Sequence, residues 1–332
     1  MRLALAGATG NVGREIIRLL EESTKIDLNI KPIFLASTVS EGEGVPFADA
    51  DILVQSLKDF TFENIDVIIF ATPSEVSKAY IPKALEKKVQ VIDLSSAYRS
   101  DEGVPMIVDA VNGSKVTKEM EHVSLADVAT VQLATIIQPL LKIATLKRVD
   151  TTCMYPTSRN GKMAMDELFA QSAGLLGGAG GDGMEGEAFQ AQVAFNVVPQ
   201  VGEFTGNNSE AEIGLLLELN RVLETPVPVI STAVYVPTFI GMSQSVTLDF
   251  NGTIKAAEVR KILEGLEGVS VIDNPEKGEF STPYGTAETS QIFISRIRDN
   301  ALTPGSLQFW VTCDNLRTGA ALQVTKILER LL

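Results

Sequence analysis

An apolar run at residues 2–6 leads directly into Gly7-Ala8-Thr9-Gly10-Asn11-Val12-Gly13, and a helical pattern follows through Ile16, Ile17, Leu19 and Leu20. Strand, glycine-rich turn, helix is the context that lifts a G-x-x-G-x-x-G spacing above chance. The glycines permit a tight turn, a close backbone approach to a pyrophosphate and close helix packing. A helix start also gathers exposed N–H donors and the positive end of a dipole, a favourable seat for phosphate. The feature predicts the first βα unit of a dinucleotide-binding domain. The alternative is a tight βα turn that holds no ligand.

The next strand, near residues 32–36, ends in Ser37-Thr38-Val39-Ser40-Glu41-Gly42-Glu43. An acid here commonly takes the ribose hydroxyls of NAD, and an Arg takes the 2′-phosphate of NADP. No Arg or Lys lies between Lys31 and Lys58. Glu41 and Glu43 would repel a phosphate if they faced it, or they are simply solvated loop charges. Strands at residues 66–71 and 89–94 flank a helix at 74–88, with Ser74 expected to cap it. Ser95-Ser96-Ala97-Tyr98-Arg99 follows the second of them. This alternation predicts a doubly wound parallel sheet with ligands at the carboxyl ends of its strands. Arg99 is the one strong anion binder near such an end, unless it only closes a surface salt bridge.

Glu121-His122-Val123-Ser124-Leu125-Ala126-Asp127-Val128-Ala129-Thr130-Val131-Gln132 reads as a short strand, a polar turn and a helix running to about Lys142. Asp127 or Ser124 is expected to cap that helix. The two positions best placed for chemistry at its start hold Val128 and Ala129, which can do none. Beyond Lys147 the pattern changes to strands near residues 147–154, 229–236, 244–251, 290–298 and 307–313, with helices near 161–176, 209–223 and 254–266. The glycine-rich loop at 177–183 resembles a phosphate cradle in composition only. It lacks a Lys or a Ser/Thr in the right place and reads as an insertion or linker. Mixed strands with fewer helices predict an α+β second domain with a largely antiparallel sheet. Helices backing one face leave the other to be covered, and a second copy of the chain would do so. The last helix, 316–332, spaces Ala320, Ala321, Val324, Ile327, Leu328 and Leu331 at helical intervals and is expected to pack on the first domain. The expected division is 1–129 plus 314–332 for dinucleotide binding, and 130–313 for substrate and dimerisation.

The formal net charge of −14 argues against nucleic acid and anionic membrane as partners. Cys153 and Cys313 give no disulfide framework, and both lie in strand-like runs where buried packing is the default. One histidine and two cysteines make a protein-bound metal unexpected. With no signal peptide and no apolar run long enough to span a bilayer, the expected location is cytoplasmic.

Five separated motifs then fall in order: GATGNVG from Gly7, SSAYR from Ser95, DAVN from Asp109, FNVVPQVG from Phe195 and DNLRTGAAL from Asp314. Together they resemble the aspartate-semialdehyde dehydrogenase family over essentially the whole chain. The resemblance implies a homodimer. It also implies reduction of an aspartyl phosphate with NADPH, or the reverse, through a cysteine thioester. It implies cofactor contacts from Gly7, Thr9, Gly10, Asn11, Val12, Gly13, Ser37, Thr38, Ser158 and Asn315, and a phosphate-binding role for Arg99.

The family's reacting residues are replaced here. Its N-x-N-C-S-T run reads Leu125-Ala126-Asp127-Val128-Ala129-Thr130, so Val128 stands where the nucleophile should be. The substrate Arg becomes Tyr235, and the acid/base His that follows it becomes Met242. An E-E-x-K segment appears as Ala211-Glu212-Ile213-Gly214, with both outer residues lost. A Tyr-Gln pair before a Ser-Gly turn corresponds to Met154-Tyr155 and Ser158-Arg159, without the Gln. The Arg that meets the NADP 2′-phosphate falls at Val39. A thiolate needs its base, and losing one member of such a unit can cost roughly 10⁶ in rate.

Cys153, with His122 as a base, is the candidate replacement nucleophile; the alternative is a buried structural thiol and a strand-end histidine. Within the family the chain is most similar to the Usg-type paralogues that lack the cysteine, by its run before Gln132 and the QSAGLLGG stretch from Gln171. The expectation is a non-catalytic homologue with weak affinity for NAD or NADP, NADP being disfavoured by Val39. Its role would be binding or regulatory, with an unidentified protein or small-molecule partner. The alternatives are an NAD(P)-dependent oxidoreductase with Tyr155 or Tyr235 as proton donor, and a residual semialdehyde dehydrogenase.

Overall fold

Four fully buried residues open the chain as strand β1, Leu3–Ala6. Helix α1, Asn11–Glu22, turns Ile16, Ile17, Leu19 and Leu20 inward. In this computed structural model, which describes residues 1–26, 31–178 and 186–332, the chain divides into two units. One is Met1–Asp127 with Ala320–Leu332, and the other is Val128–Gly319.

In the first unit β1 and α1 are followed by β2 (Ile33–Ala36), a hairpin of β3 (Gly44–Phe47) and β4 (Ala50–Leu53), and β5 (Gln55–Ser56). Next come β6 (Val67–Phe70), α2 (Ser74–Glu86), β7 (Gln90–Asp93), β8 (Met106–Ile107), α3 (Asp109–Asn112) and β9 (His122–Leu125). The large sheet runs β5-β2-β1-β6-β7-β9-β8, and every pairing in it is parallel. This is the expected doubly wound arrangement. Its strands read as unbroken apolar runs because both faces are covered. One face packs Leu3, Leu5 and Phe34 on Ile16, Leu20, Val324, Ile327 and Leu328. The other packs Ala4, Leu35, Ile68 and Phe70 on Ile81 and Ala84. The C-terminal helix, Leu322–Leu331, thus belongs to the first unit, as its apolar spacing predicts.

Three local expectations are corrected. Pro73, extended at φ −55°, takes the N-cap of α2 with no side-chain bond. Ser74 is already helical, and its Oγ lies 2.7 Å from Ser96 Oγ. Ser124 lies inside β9 and caps nothing. The last helical segment does not run unbroken from residue 316: a π-helical turn, Arg317–Ala321, precedes the α-helix. Asp314 Oδ1 fixes that turn by accepting from the N–H groups of Leu316 and Arg317 at 2.8 and 2.9 Å.

The second unit begins with α4 (Val128–Leu140), buried from Val128 through Ile137. There follow β10 (Thr145–Tyr155), α5 (Gly161–Leu176), a hairpin of β11 (Phe204–Thr205) and β12 (Asn208–Ser209), α6 (Glu210–Leu223), β13 (Val229–Tyr235) and β14 (Met242–Asn251). Then come α7 (Ala256–Glu264), β15 (Val269–Val271), a hairpin of β16 (Asp273–Asn274) and β17 (Glu279–Phe280), α8 (Pro283–Thr286), β18 (Ile292–Asp299) and β19 (Ser306–Cys313). The sheet order is β13-β10-β14-β19-β18-β15. Its inner pairs are antiparallel, and the two edge pairs, β10 with β13 and β15 with β18, are parallel. A capping box between Ser209 and Glu212 starts α6. Residues 179–183 of the glycine-rich loop lie outside the described residues. Among the described residues, no helix is long and apolar enough to cross a membrane, and no group of three or more His, Cys, Asp or Glu could hold a metal.

Candidate functional site

In the first unit the candidate is the glycine-rich turn at the carboxyl end of β1, where the strand order reverses between β2 and β6. Gly7 has φ +85°, and a Cβ there would fall 2.2 Å from Ala71 O. A Cβ on Gly13 would fall 2.1 Å from Gly7 O, so only glycine lets α1 seat on the turn. Gly7 and Ala8 donate to Leu35 O at 2.8 and 3.2 Å, which hangs the turn on the end of β2. Thr9, Gly10, Asn11 and Val12 lead into α1, whose N-cap, Gly10, makes no side-chain bond. Ser37 precedes a short 3₁₀ turn, Thr38–Ser40, in which Val39 is 93% exposed.

Sequence reasoning missed Arg14. Its guanidinium donates to Thr9 O at 3.2 Å and to Glu43 Oε1 at 2.7 Å. Glu43 is therefore not a bare charge beside the turn but half of an ion pair. A cation directly after the third glycine was the available signal.

Farther along the same sheet edge stands Arg99. Its Nη2 donates to Leu94 O at 2.8 Å, and its Nη1 lies 3.6 Å from Asp127 Oδ2. Both side chains are largely buried, at 15% and 10% exposed. This is an inward ion pair rather than a surface bridge. Asp93, the last residue of β7, is buried nearby. Burial pushes its carboxyl above the usual carboxylate range, while bonds from Ser95 and the charge of Arg99 pull it back.

The second unit holds the slots in which the resemblance places the reacting groups. Val128 begins α4 and is 9% exposed; a Cβ added to Gly319 would meet its Cγ2 at 2.4 Å. Met242 opens β14 and is 0% exposed. Beneath them lies a pair of fully buried glutamines. Gln132 Nε2 donates to Met242 O at 3.1 Å and to Cys313 Sγ at 3.2 Å. Gln244 Nε2 donates to Ala129 O at 3.1 Å and to Gln132 Oε1 at 2.7 Å. Gln244 Oε1 accepts from Thr151 Oγ1 and from the Cys153 thiol, both at 3.2 Å. Every amide atom of the pair is used. The network ties the first turn of α4 to β10, β14 and β19.

The remaining candidates are buried or hydrogen-bonded. Burial pushes the Cys313 thiol up to about 12. Cys153 is 1% exposed. His122 is held down to about 4 by burial, so its ring is neutral, and it packs edge-on against Tyr98 at 4.8 Å. Tyr235 donates its hydroxyl to Asn160 Oδ1 at 2.6 Å, and the Tyr155 ring lies under the Arg159 guanidinium at 4.6 Å. Glu212 accepts from the backbone N–H groups of Ser209 and Ala233 at 2.7 and 2.9 Å. Ser158 and Asn315 are brought together: Asn315 Nδ2 donates to Ser158 Oγ at 3.0 Å, and its Oδ1 accepts from Gly241 N at 2.9 Å.

Residues 2–119 match the family described as the NAD-binding domain of semialdehyde dehydrogenase, and residues 137–318 match its dimerisation domain. The chain is 36% identical to the aspartate-semialdehyde dehydrogenase of Rickettsia conorii, over 99% of this chain and 97% of that protein. It is 32% identical to the enzyme of Aquifex aeolicus over the same shares. In three dimensions it resembles aspartate-semialdehyde dehydrogenase II of Vibrio cholerae complexed with ASA. The TM-score is 0.93 at 28% identity, covering 99% of this chain and 97% of that one.

Proposed function

Because this chain belongs to the aspartate-semialdehyde dehydrogenase family, we propose that it is a homodimeric, non-catalytic member of it, of the Usg type, with a binding role. The observation that carries this reading is the filling of the two reacting slots. Val128 and Met242 are buried apolar side chains, neither able to attack a carbonyl nor to move a proton. The Gln132–Gln244 pair beneath them spends all four of its amide oxygens and nitrogens on bonds within the chain. A rescue through Cys153 is opposed by the burial of that thiol and by its bond to Gln244. Reductase chemistry through Tyr235 or Tyr155 is opposed by their burial and, for Tyr235, by its bond to Asn160.

The glycine-rich turn supports retained affinity for a dinucleotide. Gly7, Thr9, Gly10, Asn11, Val12 and Gly13 would seat the pyrophosphate and Ser37 and Thr38 the ribose, while Ser158 and Asn315 of the second unit are cofactor contacts that the resemblance implies. Val39 brings no charge to a 2′-phosphate, and Arg14 is held by Glu43, so NAD should bind at least as well as NADP.

Steady-state turnover of the semialdehyde with NADP and phosphate tests the silent site. The expected rate equals the no-enzyme blank, and a rate above it that Cys153→Ala abolishes would overturn the reading. Thermal shift tests the pocket: a ligand at roughly 100 Kd should stabilise by about 2.7 kcal/mol. No shift with either cofactor at millimolar concentration would reduce the turn to a structural relic.

A further inference from the structure

We propose that Arg99 carries its own anion: Asp127 occupies, from within the chain, the place that an oxyanion ligand would take on that guanidinium. The carboxyl ends of β7 and β9 consequently do not hold phosphate or an acyl phosphate. This rests on the reading above, in which Arg99 is the surviving member of an anion-binding set, and it says why that survivor binds no anion.

The geometry is local. β7 and β9 are parallel neighbours, with Asp93 in register with Ser124. Asp93 ends β7, and Asp127 follows the end of β9. The two carboxyl groups therefore leave adjacent strand ends, and Arg99 follows the first of them on its loop. Asp127 Oδ2 stands 3.6 Å from Nη1, and Leu94 O accepts from Nη2 at 2.8 Å. One cation thus meets a carboxylate and a carbonyl oxygen, with the buried Asp93 carboxyl near enough to feel its charge.

An incoming oxyanion would face that negative surround and would also have to displace Asp127. Displacing it would strip a largely buried carboxylate of its charge partner, which is costly at low dielectric. The intramolecular carboxylate is tethered beside the guanidinium, so it competes at high effective concentration.

The test compares wild type with Asp127→Asn by thermal shift, titrating sodium phosphate against sodium chloride at matched ionic strength. Asn matches Asp in size and keeps an acceptor oxygen, so the fold should survive. Wild type should respond to phosphate no more than to chloride. Asp127→Asn should bind phosphate about tenfold or more tightly than wild type, since a unit charge close to the ligand has been removed. Adding Arg99→Gln should abolish the gain. Wild type binding phosphate as tightly as Asp127→Asn would overturn the proposal. So would a folded Asp127→Asn that gains nothing. Asp127→Ser serves as a second variant, and loss of fold in both would also contradict a purely local lock. Semialdehyde turnover by wild type would sink the silent reading but would leave this phosphate comparison standing.

Discussion

In the proposed reading Val128 and Met242 silence the site by type and by burial together. A buried apolar side chain can be exchanged for another of similar volume at small cost, whereas a polar one placed there must find a partner. Val128→Cys should therefore cost less than about 1.5 kcal/mol, because a thiol packs much as an isopropyl group does. Met242→His, with no exposed surface at the site, should cost on the order of 1–3 kcal/mol. Denaturant midpoints give both values, and the double variant should still turn over no semialdehyde. His122 gives a pH signature in the same molecule. It is the chain's one histidine, and burial holds its folded-state pKa at about 4 against an ordinary 6.5. A depressed histidine favours the neutral folded form. Its contribution is complete above about pH 6.5 and is lost as pH falls towards 4, because the unfolded chain takes up the proton first. Thermal melts between those pH values should flatten in His122→Phe relative to wild type; equal slopes would contradict the assignment.

At the scale of elements, the helix α4 is held by what it rests on. Gln244→Leu would leave Ala129 O, Gln132 Oε1, the Thr151 hydroxyl and the Cys153 thiol short of a partner. The expected loss is roughly 2–5 kcal/mol, read as a lower denaturant midpoint at unchanged slope. A loss below about 1 kcal/mol would mean that water or repacking replaces the network.

Sequence alone could not show this pair, because the two glutamines are 112 residues apart and each is an ordinary polar residue in its own segment. The parallel sheet was legible for the opposite reason: a strand buried on both faces writes itself as a continuous apolar run, as in Leu3–Ala6 and Val67–Phe70. The glycine-rich turn was legible because Gly7 and Gly13 have no room for a Cβ. Caps were less so. Ser74 has the right chemistry for an N-cap, but Pro73 before it is already extended and takes that place. The two-residue strands of the β11–β12 and β16–β17 hairpins carry too few residues to show a period. Arg14 was overlooked because its partner, Glu43, lies 29 residues away on another segment.

At the scale of the whole molecule, membership of the family and a matched dimerisation domain frame the assembly. Helices α4, α6 and α7 lie against the second unit's sheet, while residues such as Asp150, Ser245 and Thr247 on its strands are exposed or half-exposed. We expect that face to pair with a second copy, so light scattering should report twice the monomer mass, and Ser245→Arg should lower it towards one. A dimer unaffected by that charge would place the interface elsewhere. A single-turnover experiment decides whether this dehydrogenase fold has lost the family's chemistry. Protein at a concentration equal to that of the semialdehyde is mixed with excess NADP and phosphate, and absorbance of the reduced cofactor is followed. A silent site yields no reduced cofactor beyond the protein-free control. One equivalent of reduced cofactor per protomer would contradict it.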